Sequence, residues 1–154
     1  MFRKDFGFTL IEIMVVIFII GIMATIITVN VTAPNYSRFM SEAIKLANTF
    51  EIVSDEAVYT NSLVSCKVEP KVISCDAYRN GEWRNIDMSS LISWGWPKNI
   101  EIQQIVVAGV PLKDGQQLEF LSNGDTPLMS IQVSDGVYTA WIDSDLTGKF
   151  KVSN

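Results

Sequence analysis

The chain opens with a long apolar stretch that differs from everything after it. Residues 13–37 contain no charged side chain, and residues 13–29 are apolar apart from Gly21, Thr25 and Thr28. About 20 apolar residues are enough for a helix to cross the ~30 Å hydrocarbon core of a bilayer. A secretory signal peptide has a shorter apolar region and then a small-residue cleavage site, which is not evident here. The pattern predicts a single, retained membrane-spanning helix.

A second apolar pattern follows, now with helical spacing. Between residues 39 and 57, apolar side chains recur at every third or fourth position, and polar side chains fill the other faces. The recurring positions are Phe39, Ala43, Leu46, Ala47, Phe50, Val53 and Ala57. The spacing predicts an amphipathic continuation of the helix over residues 37–60. Pro34 removes one backbone hydrogen bond, so we expect a kink or a break near it.

After Asn61 the pattern changes to short runs rich in β-forming residues, separated by turn residues. The predicted strands are residues 63–68, 72–78, 82–86, 100–107, 117–121, 128–133, 137–142 and 149–152. Asn80-Gly81 and Asp135-Gly136 predict hairpin turns, because glycine tolerates a positive φ. One long helix followed by antiparallel strands predicts an α+β fold, in which the helix packs on a β domain of residues 61–154.

The distribution of charge indicates an orientation. Arg3 and Lys4 precede the apolar stretch, and Asp5 partly offsets them. The positive-inside tendency keeps this short end in the cytoplasm and sends the residues after about Ser37 across the membrane. That part carries ten Lys and Arg residues against fifteen Asp and Glu residues, so the net charge of −5 resides there. Nucleic-acid binders usually have the opposite sign, and a nucleic-acid partner is not expected.

The two cysteines fit an oxidising compartment. A hairpin centred between Pro70 and Lys71 places Cys66 directly opposite Cys75. A two-residue loop makes this a non-hydrogen-bonded pair, where the Cα atoms lie closest, and a four-residue loop reverses that parity. In either case a disulfide is within reach, and an exported domain favours it over two buried thiols.

The sequence offers little for catalysis or for metal binding. The chain has no histidine, which excludes Cys/His metal sites and removes the commonest general base. The hydroxyl and carboxylate side chains show no recognisable catalytic spacing. The sequence therefore predicts neither enzyme activity nor a cofactor.

Two further segments have alternative interpretations. Trp94-Gly95-Trp96-Pro97 places two large aromatic residues in a loop, as interface anchors or as core packing beneath the loop; core packing is favoured. The segment from Asp143 to Gly148 is similar to the opening of a calcium loop, but Asn154 stands where such a loop needs a glutamate. A solvated turn between strands is the favoured interpretation.

Glu12, at the head of the apolar stretch, is the most informative residue. An unpaired carboxylate in a membrane costs at least ~2 to 3 kcal/mol on insertion scales, and less near the interface. Thr9 and Glu12 can form a capping box at the start of the helix. Alternatively, Glu12 lies among the lipid headgroups and has no role. In a third interpretation the chain is cut after Gly7, and the new α-amine of Phe8 on a neighbouring molecule pairs with Glu12.

The segment KDFGFTLIEIMVVIFIIGIMA resembles the class III signal of type IV pilins and type II secretion pseudopilins. The resemblance implies that residues 1–7 are a cleaved leader. It implies that a membrane-embedded aspartic prepilin peptidase cuts between Gly7 and Phe8 and methylates the new amine of Phe8. It implies that Glu12 docks the subunit and that residues 8–36 form the transmembrane helix. Pairing of Glu12 with a partner is therefore favoured over capping alone, and one carboxylate can serve each role at different stages.

The remainder resembles, less diagnostically, the minor pseudopilin H pattern. The segments concerned are SEAIKLANTFEIVSDEAVYTNSLVSCKV, LISWGWPKNIEI, LEFLSNGDTPLMSIQV and DGVYTAWIDSDLTGKFKV. The resemblance implies a type IV pilin-like fold anchored in the bacterial inner membrane, with its C-terminal domain in the periplasm. It implies as partners the major and minor pseudopilins, the prepilin peptidase and the inner-membrane assembly platform. The H-type subunit links the tip of a short filament to its shaft.

Two other functional classes stay open from the sequence. One is a minor type IV pilin of the FimU or FimT kind, acting in pilus assembly or DNA uptake. Some of those proteins bind DNA through a basic Gly-Arg-x-Arg tail, whereas the tail here reads TGKFKVSN. The other is a membrane-tethered enzyme, for which the sequence shows no catalytic constellation.

Overall fold

The computed structural model describes residues 9–113 and 115–153. It describes the side chains of all these residues except residues 23–34, which belong to the long first helix. The chain divides into two compact units, Met1–Ser37 and Arg38–Asn154. The first helix, α1, covers Leu10–Tyr59 and therefore has residues in each unit. A break at Pro34 was one expected outcome and is wrong, because the helix continues through this residue.

In the first unit, the described helical side chains are those of residues 10–22 and 35–37, and all of them are exposed. Residues 10–22 are apolar except for Glu12, and Gly21 has no side chain. Among the residues that the structure describes, no helix combines the length and the apolar character needed to cross a membrane.

In the second unit, the helix buries the face that its spacing predicts. The seven apolar positions from Phe39 to Ala57 are each no more than 2% exposed. They form one core cluster with buried side chains from the strands that follow. The amphipathic pattern is therefore satisfied inside this unit, where the sheets cover the apolar face of the helix.

The described strands form two antiparallel sheets, in the order β3-β2-β1-β6 and β5-β4-β7-β8-β9. A short helix, α2, Met88–Leu91, follows β3. The strands are β1 Leu63–Glu69, β2 Val72–Arg79, β3 Glu82–Asn85, β4 Glu101–Val107, β5 Val110–Pro111, β6 Leu118–Phe120, β7 Met129–Ser134, β8 Thr139–Ser144 and β9 Phe150–Ser153. The fold is α+β, with the helix packed on antiparallel sheets, as predicted.

The turn at Asn80-Gly81 forms as its sequence predicts. Arg79 pairs with Glu82, so the loop has two residues, with φ of 53° at Asn80 and 88° at Gly81. Both central residues have positive φ, which is the type I′ geometry that suits the twist of a hairpin. This turn fixes the register of β2 and β3.

The hairpin turn at Asp135-Gly136 also forms, with a longer loop than the predicted strand bounds give. Ser134 pairs with Thr139, so the loop has four residues and β8 begins two residues later than expected. The Asp135 carboxylate accepts hydrogen bonds from the backbone N–H groups of Val137 and Tyr138, at 2.9 Å and 2.7 Å. The hairpin turn itself is as predicted, whereas the predicted start of the second strand at Val137 is wrong because these side-chain bonds stabilise a wider loop.

Two short elements were not predicted. The helix α2 has four residues, too few to show a helical period, and is capped by Asp87, whose carboxylate accepts from the Ser89 N–H at 3.0 Å. The hydrogen bond from the Ser89 hydroxyl is the largest cause that lowers the pKa of Asp87. The strand β5 has only two residues, one of them Pro111. Neither element is long enough for a hydrophobic pattern to reveal.

The turn between β8 and β9 packs against α1. Gly148 has a φ of 77°, and a Cβ atom built there would collide with Ser54 Oγ on the helix and lie 3.1 Å from Thr126 Oγ1. The Ser54 and Thr126 hydroxyls are 3.3 Å apart and buried. Gly148 is therefore required for both its backbone conformation and its close approach to the helix.

Candidate functional site

The site that the sequence indicates begins at the first turn of α1. The helix starts at Leu10, and the Thr9 carbonyl accepts from the N–H groups of Glu12 at 3.1 Å and Ile13 at 3.5 Å. Glu12 is thus the third residue of the helix. A carboxylate here lies at the positive end of the helix dipole.

The capping-box interpretation of Glu12 is not realised in the structure. In such a box the Glu12 N–H donates to the Thr9 hydroxyl, and the Thr9 N–H donates to the Glu12 carboxylate. Neither bond is present between these two described residues, and the Glu12 carboxylate has no hydrogen bond or ion pair with another described residue. The carboxylate is exposed and available to a partner.

The surroundings of Glu12 on the described helix are apolar. Leu10, Ile11 and Ile13 are 79%, 71% and 52% exposed, and Phe18 is 70% exposed. A shallow apolar groove on the same helix is lined by Met14, Ile17, Phe18, Gly21 and Ile22. Gly21 leaves open space where other residues carry a Cβ atom, so another helix could approach closely here. A lone carboxylate on so apolar a surface requires a positively charged partner if the helix is buried.

The other residues of the predicted processing site, Gly7 and Phe8, lie outside the described residues. Cleavage after Gly7, methylation of Phe8 and docking through Glu12 therefore stay predictions. The same holds for the division into a leader of residues 1–7 and a membrane span of residues 8–36.

The two cysteines are joined by a disulfide with both side chains fully buried. Glu69 pairs with Val72, so the hairpin loop has two residues and the register sets Cys66 opposite Cys75. The Cys75 carbonyl accepts from the Ile86 N–H at 2.8 Å, so it is directed toward β3. The cysteines are accordingly a non-hydrogen-bonded pair, with Cα atoms 4.1 Å apart.

The loop Trp94-Gly95-Trp96-Pro97 mainly packs against the core and the helix. Trp96 packs against the core cluster, and its buried Nε1 has no hydrogen-bond acceptor among the described residues. Trp94 is 37% exposed, and its Nε1–H donates to Thr49 Oγ1 on α1 at 3.3 Å. Thr49 in turn donates to the Lys45 carbonyl at 2.9 Å. The loop is thus fastened to the helix, in agreement with the core-packing interpretation.

In the segment from Asp143 to Gly148, which is similar to the opening of a calcium loop, the carboxylates accept hydrogen bonds from within the protein. Asp145 Oδ1 accepts from the hydroxyl and N–H of Thr147 and from the N–H of Lys149. These bonds, the Thr147 hydroxyl first, lower the pKa of Asp145. Asp143 instead accepts from the hydroxyls of Ser130 and Ser153 on the neighbouring strands. Among the described residues no group of three or more metal-binding side chains is found.

Many of the basic side chains in the second unit are paired with carboxylates. The ion pairs are Lys45–Glu42, Lys67–Glu69, Lys71–Glu101, Arg79–Glu56, Arg84–Glu82 and Lys149–Glu51. The Lys149 ammonium donates a hydrogen bond to the Glu51 carboxylate, and this bond, followed by the charges of Asp55 and Glu51, raises the pKa of Lys149. Local pairing of this kind reduces the attraction of these cations for phosphate groups.

One exposed feature was missed in the sequence. Tyr78 and Trp83 lie side by side across the β2–β3 hairpin with ring centroids 5.3 Å apart, and they are 45% and 52% exposed. Their positions are symmetric about Asn80-Gly81, so the predicted turn was a signal that could have revealed the pair. Exposed aromatic pairs are common anchors of protein interfaces.

Comparison with known proteins concerns the N-terminal segment. Residues 2–28 match the family model described as the prokaryotic N-terminal methylation motif, a range that includes Gly7, Phe8 and Glu12. The match supports the class of type IV pilins and pseudopilins. It implies processing by a prepilin peptidase and assembly into a pilus or pseudopilus, and it is compatible with anchoring in the inner membrane. No curated protein and no solved structure matches the chain.

Proposed function

We propose that this protein is a minor pseudopilin of the H type, which links the tip of a type II secretion pseudopilus to its shaft. The observation that carries the proposal is the Glu12 carboxylate. It lies in the first turn of an exposed apolar helix, inside the matched motif, without a partner among the described residues.

The proposed mechanism starts with removal of residues 1–7 and methylation of the Phe8 amine. A methylated amine keeps its proton and its positive charge. In an apolar bundle, both this amine and the Glu12 carboxylate of a neighbour are costly to bury alone. Pairing between subunits offsets part of both costs, and a mispaired helix leaves each charge unpaired, so the charges select correctly stacked helices. A subunit that lacks one charge leaves the other unpaired.

The apolar helix faces supply the remaining contacts in the filament. The groove at Gly21 lets a second helix approach closely, because a glycine presents no side chain there. In this proposal the inner-membrane assembly platform adds subunits with energy from ATP. The growing filament then pushes secreted proteins through the outer-membrane secretin. The protein itself performs no chemistry, binds no cofactor and acts through assembly.

The second unit is proposed to lie in the periplasm. Its buried disulfide fits an oxidising compartment. Its acidic balance and its paired lysines and arginines favour protein partners over nucleic acid, which weighs against DNA uptake. The partners proposed are the major and other minor pseudopilins.

The N-terminal match fits a minor type IV pilin equally well. A mutant phenotype must therefore distinguish the type II secretion system from the type IV pilus system. We expect that deletion of the gene in its host abolishes export of proteins across the outer membrane and traps them in the periplasm, while surface pili persist. The measurement compares secreted protein in the culture medium with pili sheared from the same cells. Loss of pili with normal export would replace the secretion proposal with the pilus alternative. The gene carrying Glu12→Leu should fail to restore export, whereas the unaltered gene should restore it.

A further inference from the structure

The β3 edge of the first sheet is open and fully exposed. All four residues of β3, Glu82–Asn85, are exposed, and β3 is the last strand in the order β3-β2-β1-β6. Open strand edges offer unpaired backbone donors and acceptors to another strand. Pairing with a further strand is therefore the simplest way for this edge to be covered.

The register of the β2–β3 hairpin shows which backbone groups are offered. Arg79 pairs with Glu82 across the two-residue turn, and the Ile86 N–H donates to the Cys75 carbonyl. By the alternation of an antiparallel ladder, Glu82 and Arg84 direct their N–H and C=O groups toward β2. Trp83 and Asn85 direct theirs to the open edge. No backbone bond from these groups to another described residue is present.

The side chains of β3 are complementary to themselves. Glu82 and Arg84 carry opposite charges, and their ion pair within one chain is 3.5 Å long with both side chains well exposed. Trp83, between them, lies on the outer face with Tyr78. If two copies of β3 pair antiparallel about Trp83, each Glu82 stands opposite Arg84 of the other copy. The Trp83 side chains of the two copies then lie side by side, so the two Tyr78–Trp83 pairs form one row of four aromatic rings on one face.

Only one register of two β3 strands combines these features. The backbone groups at the open edge belong to Trp83 and Asn85. Each possible register therefore sets Trp83 or Asn85 of one copy opposite Trp83 or Asn85 of the other copy. Pairing Trp83 with Asn85 sets Arg84 against Arg84, and like charges directly opposite are destabilising. Pairing Asn85 with Asn85 leaves Glu82 without a partner on the other copy's strand. The symmetric register about Trp83 gives two ion pairs and a shared aromatic row.

The edge strand β9 lacks this complementarity. Its Phe150 is flanked by Lys149 and Lys151, and Lys149 is already engaged with Glu51. Aligning two copies about Phe150 would place lysine against lysine, which opposes pairing. The β3 edge is thus distinguished from another edge of the same unit by its charge pattern.

We propose that the β3 edge binds a second copy of this chain, by antiparallel pairing about Trp83, so that two four-stranded sheets join into one. The contact is isologous, because the same surface is used on both copies. It involves residues of the second unit only and does not depend on Glu12, so it goes beyond the proposed role in the filament. The small size of the strand makes it a weak contact that acts between copies held in one membrane.

The test uses the full-length chain in host membranes, as two copies with different tags. One copy carries Glu82→Cys and the other Arg84→Cys. In the proposed register these positions form a directly opposite, non-hydrogen-bonded pair, where Cα atoms are close enough for a disulfide. Two copies of the same variant place their new cysteines on a diagonal, which is too long. We expect mild oxidation to link the mixed pair at least about tenfold more than either variant alone.

Three further arms decide between the possible outcomes. In the control, one copy carries Glu119→Cys, on the opposite edge strand β6, in place of Glu82→Cys. Together with the Arg84→Cys copy it should give no linked dimer. Glu82→Arg and Arg84→Glu should each reduce co-purification of two tagged copies about tenfold, and mixing the two variants should restore it. The linkage should persist in a Glu12→Leu chain, which separates it from filament contacts. Equal linkage in mixed and single-variant membranes, no restoration on mixing, or linkage to a different protein would overturn the proposal.

Discussion

Replacing Glu12 with leucine is expected to leave leader removal intact and to abolish incorporation into the filament. In the proposed bundle, Glu12→Leu leaves the Phe8 amine of a neighbour buried without its counter-ion. Breaking a buried ion pair on one side costs about 3–5 kcal/mol, which corresponds to a loss of incorporation of roughly a hundredfold or more. The measurement is the amount of the protein in filaments sheared from cells, relative to the amount in membranes.

The matched control is Glu12→Asp, which retains the negative charge at the same place in the first helical turn. It should incorporate better than Glu12→Leu, although the shorter side chain weakens the contact. A gel that resolves the processed and unprocessed forms shows whether both variants lose the leader. If processed Glu12→Leu protein entered filaments at the wild-type level, the pairing of charges between subunits would be refuted.

Replacing Gly148 with alanine is expected to destabilise the second unit by roughly 2–4 kcal/mol. Two costs contribute. Gly148 has a φ of 77°, which an L side chain adopts only with strain, and the new Cβ atom would collide with the buried Ser54 hydroxyl on α1. Relief of the collision requires the turn between β8 and β9 to move off the helix. Urea unfolding of the purified full-length protein in detergent, followed by tryptophan fluorescence, measures the effect.

Gly136→Ala is the matched control for Gly148→Ala. Gly136 has a φ of 89°, but nothing lies within 4 Å of the place where its Cβ atom would be. This variant carries the cost of the backbone conformation alone, about 1–2 kcal/mol. Equal destabilisation by the two variants would show that the contact between Gly148 and Ser54 is unimportant for stability.

The sequence predicted most of the second unit because its patterns there are local. Phe39, Leu46 and Phe50 recur at helical spacing, and the structure buries all three. The Asn80-Gly81 turn has a backbone requirement that few other residues meet, so it fixed the β2–β3 register in advance. The opposition of Cys66 and Cys75 followed from the same kind of local symmetry, about Pro70 and Lys71.

The features that the sequence did not predict depend on side-chain bonds within a turn or on contacts between distant residues. Asp135 widens its loop through its own side-chain hydrogen bonds, which a turn motif does not reveal. The collision that makes Gly148 necessary depends on Ser54, far away in the chain. The openness of the β3 edge depends on the order of strands in the sheet. Local patterns therefore predicted the elements, whereas individual side-chain bonds and tertiary contacts decided the details of the turns and edges.

Part of the candidate site could be inferred from the sequence alone. The order of Gly7, Phe8 and Glu12 ahead of an apolar helix indicated the class, and the motif match over residues 2–28 agrees with it. The structure adds that Glu12 does not form a capping box with Thr9. The partner of Glu12 lies on another molecule in the proposed account, so no single chain can display it.

The most direct test of this account is the mass of the protein isolated from host membranes, with sequencing of its N-terminal peptide by mass spectrometry. We expect a chain that begins at Phe8, lacks residues 1–7 and carries one added methyl group on its α-amine. A chain that still begins at Met1, with residues 1–7 intact and the amine of residue 8 in a peptide bond, would contradict it.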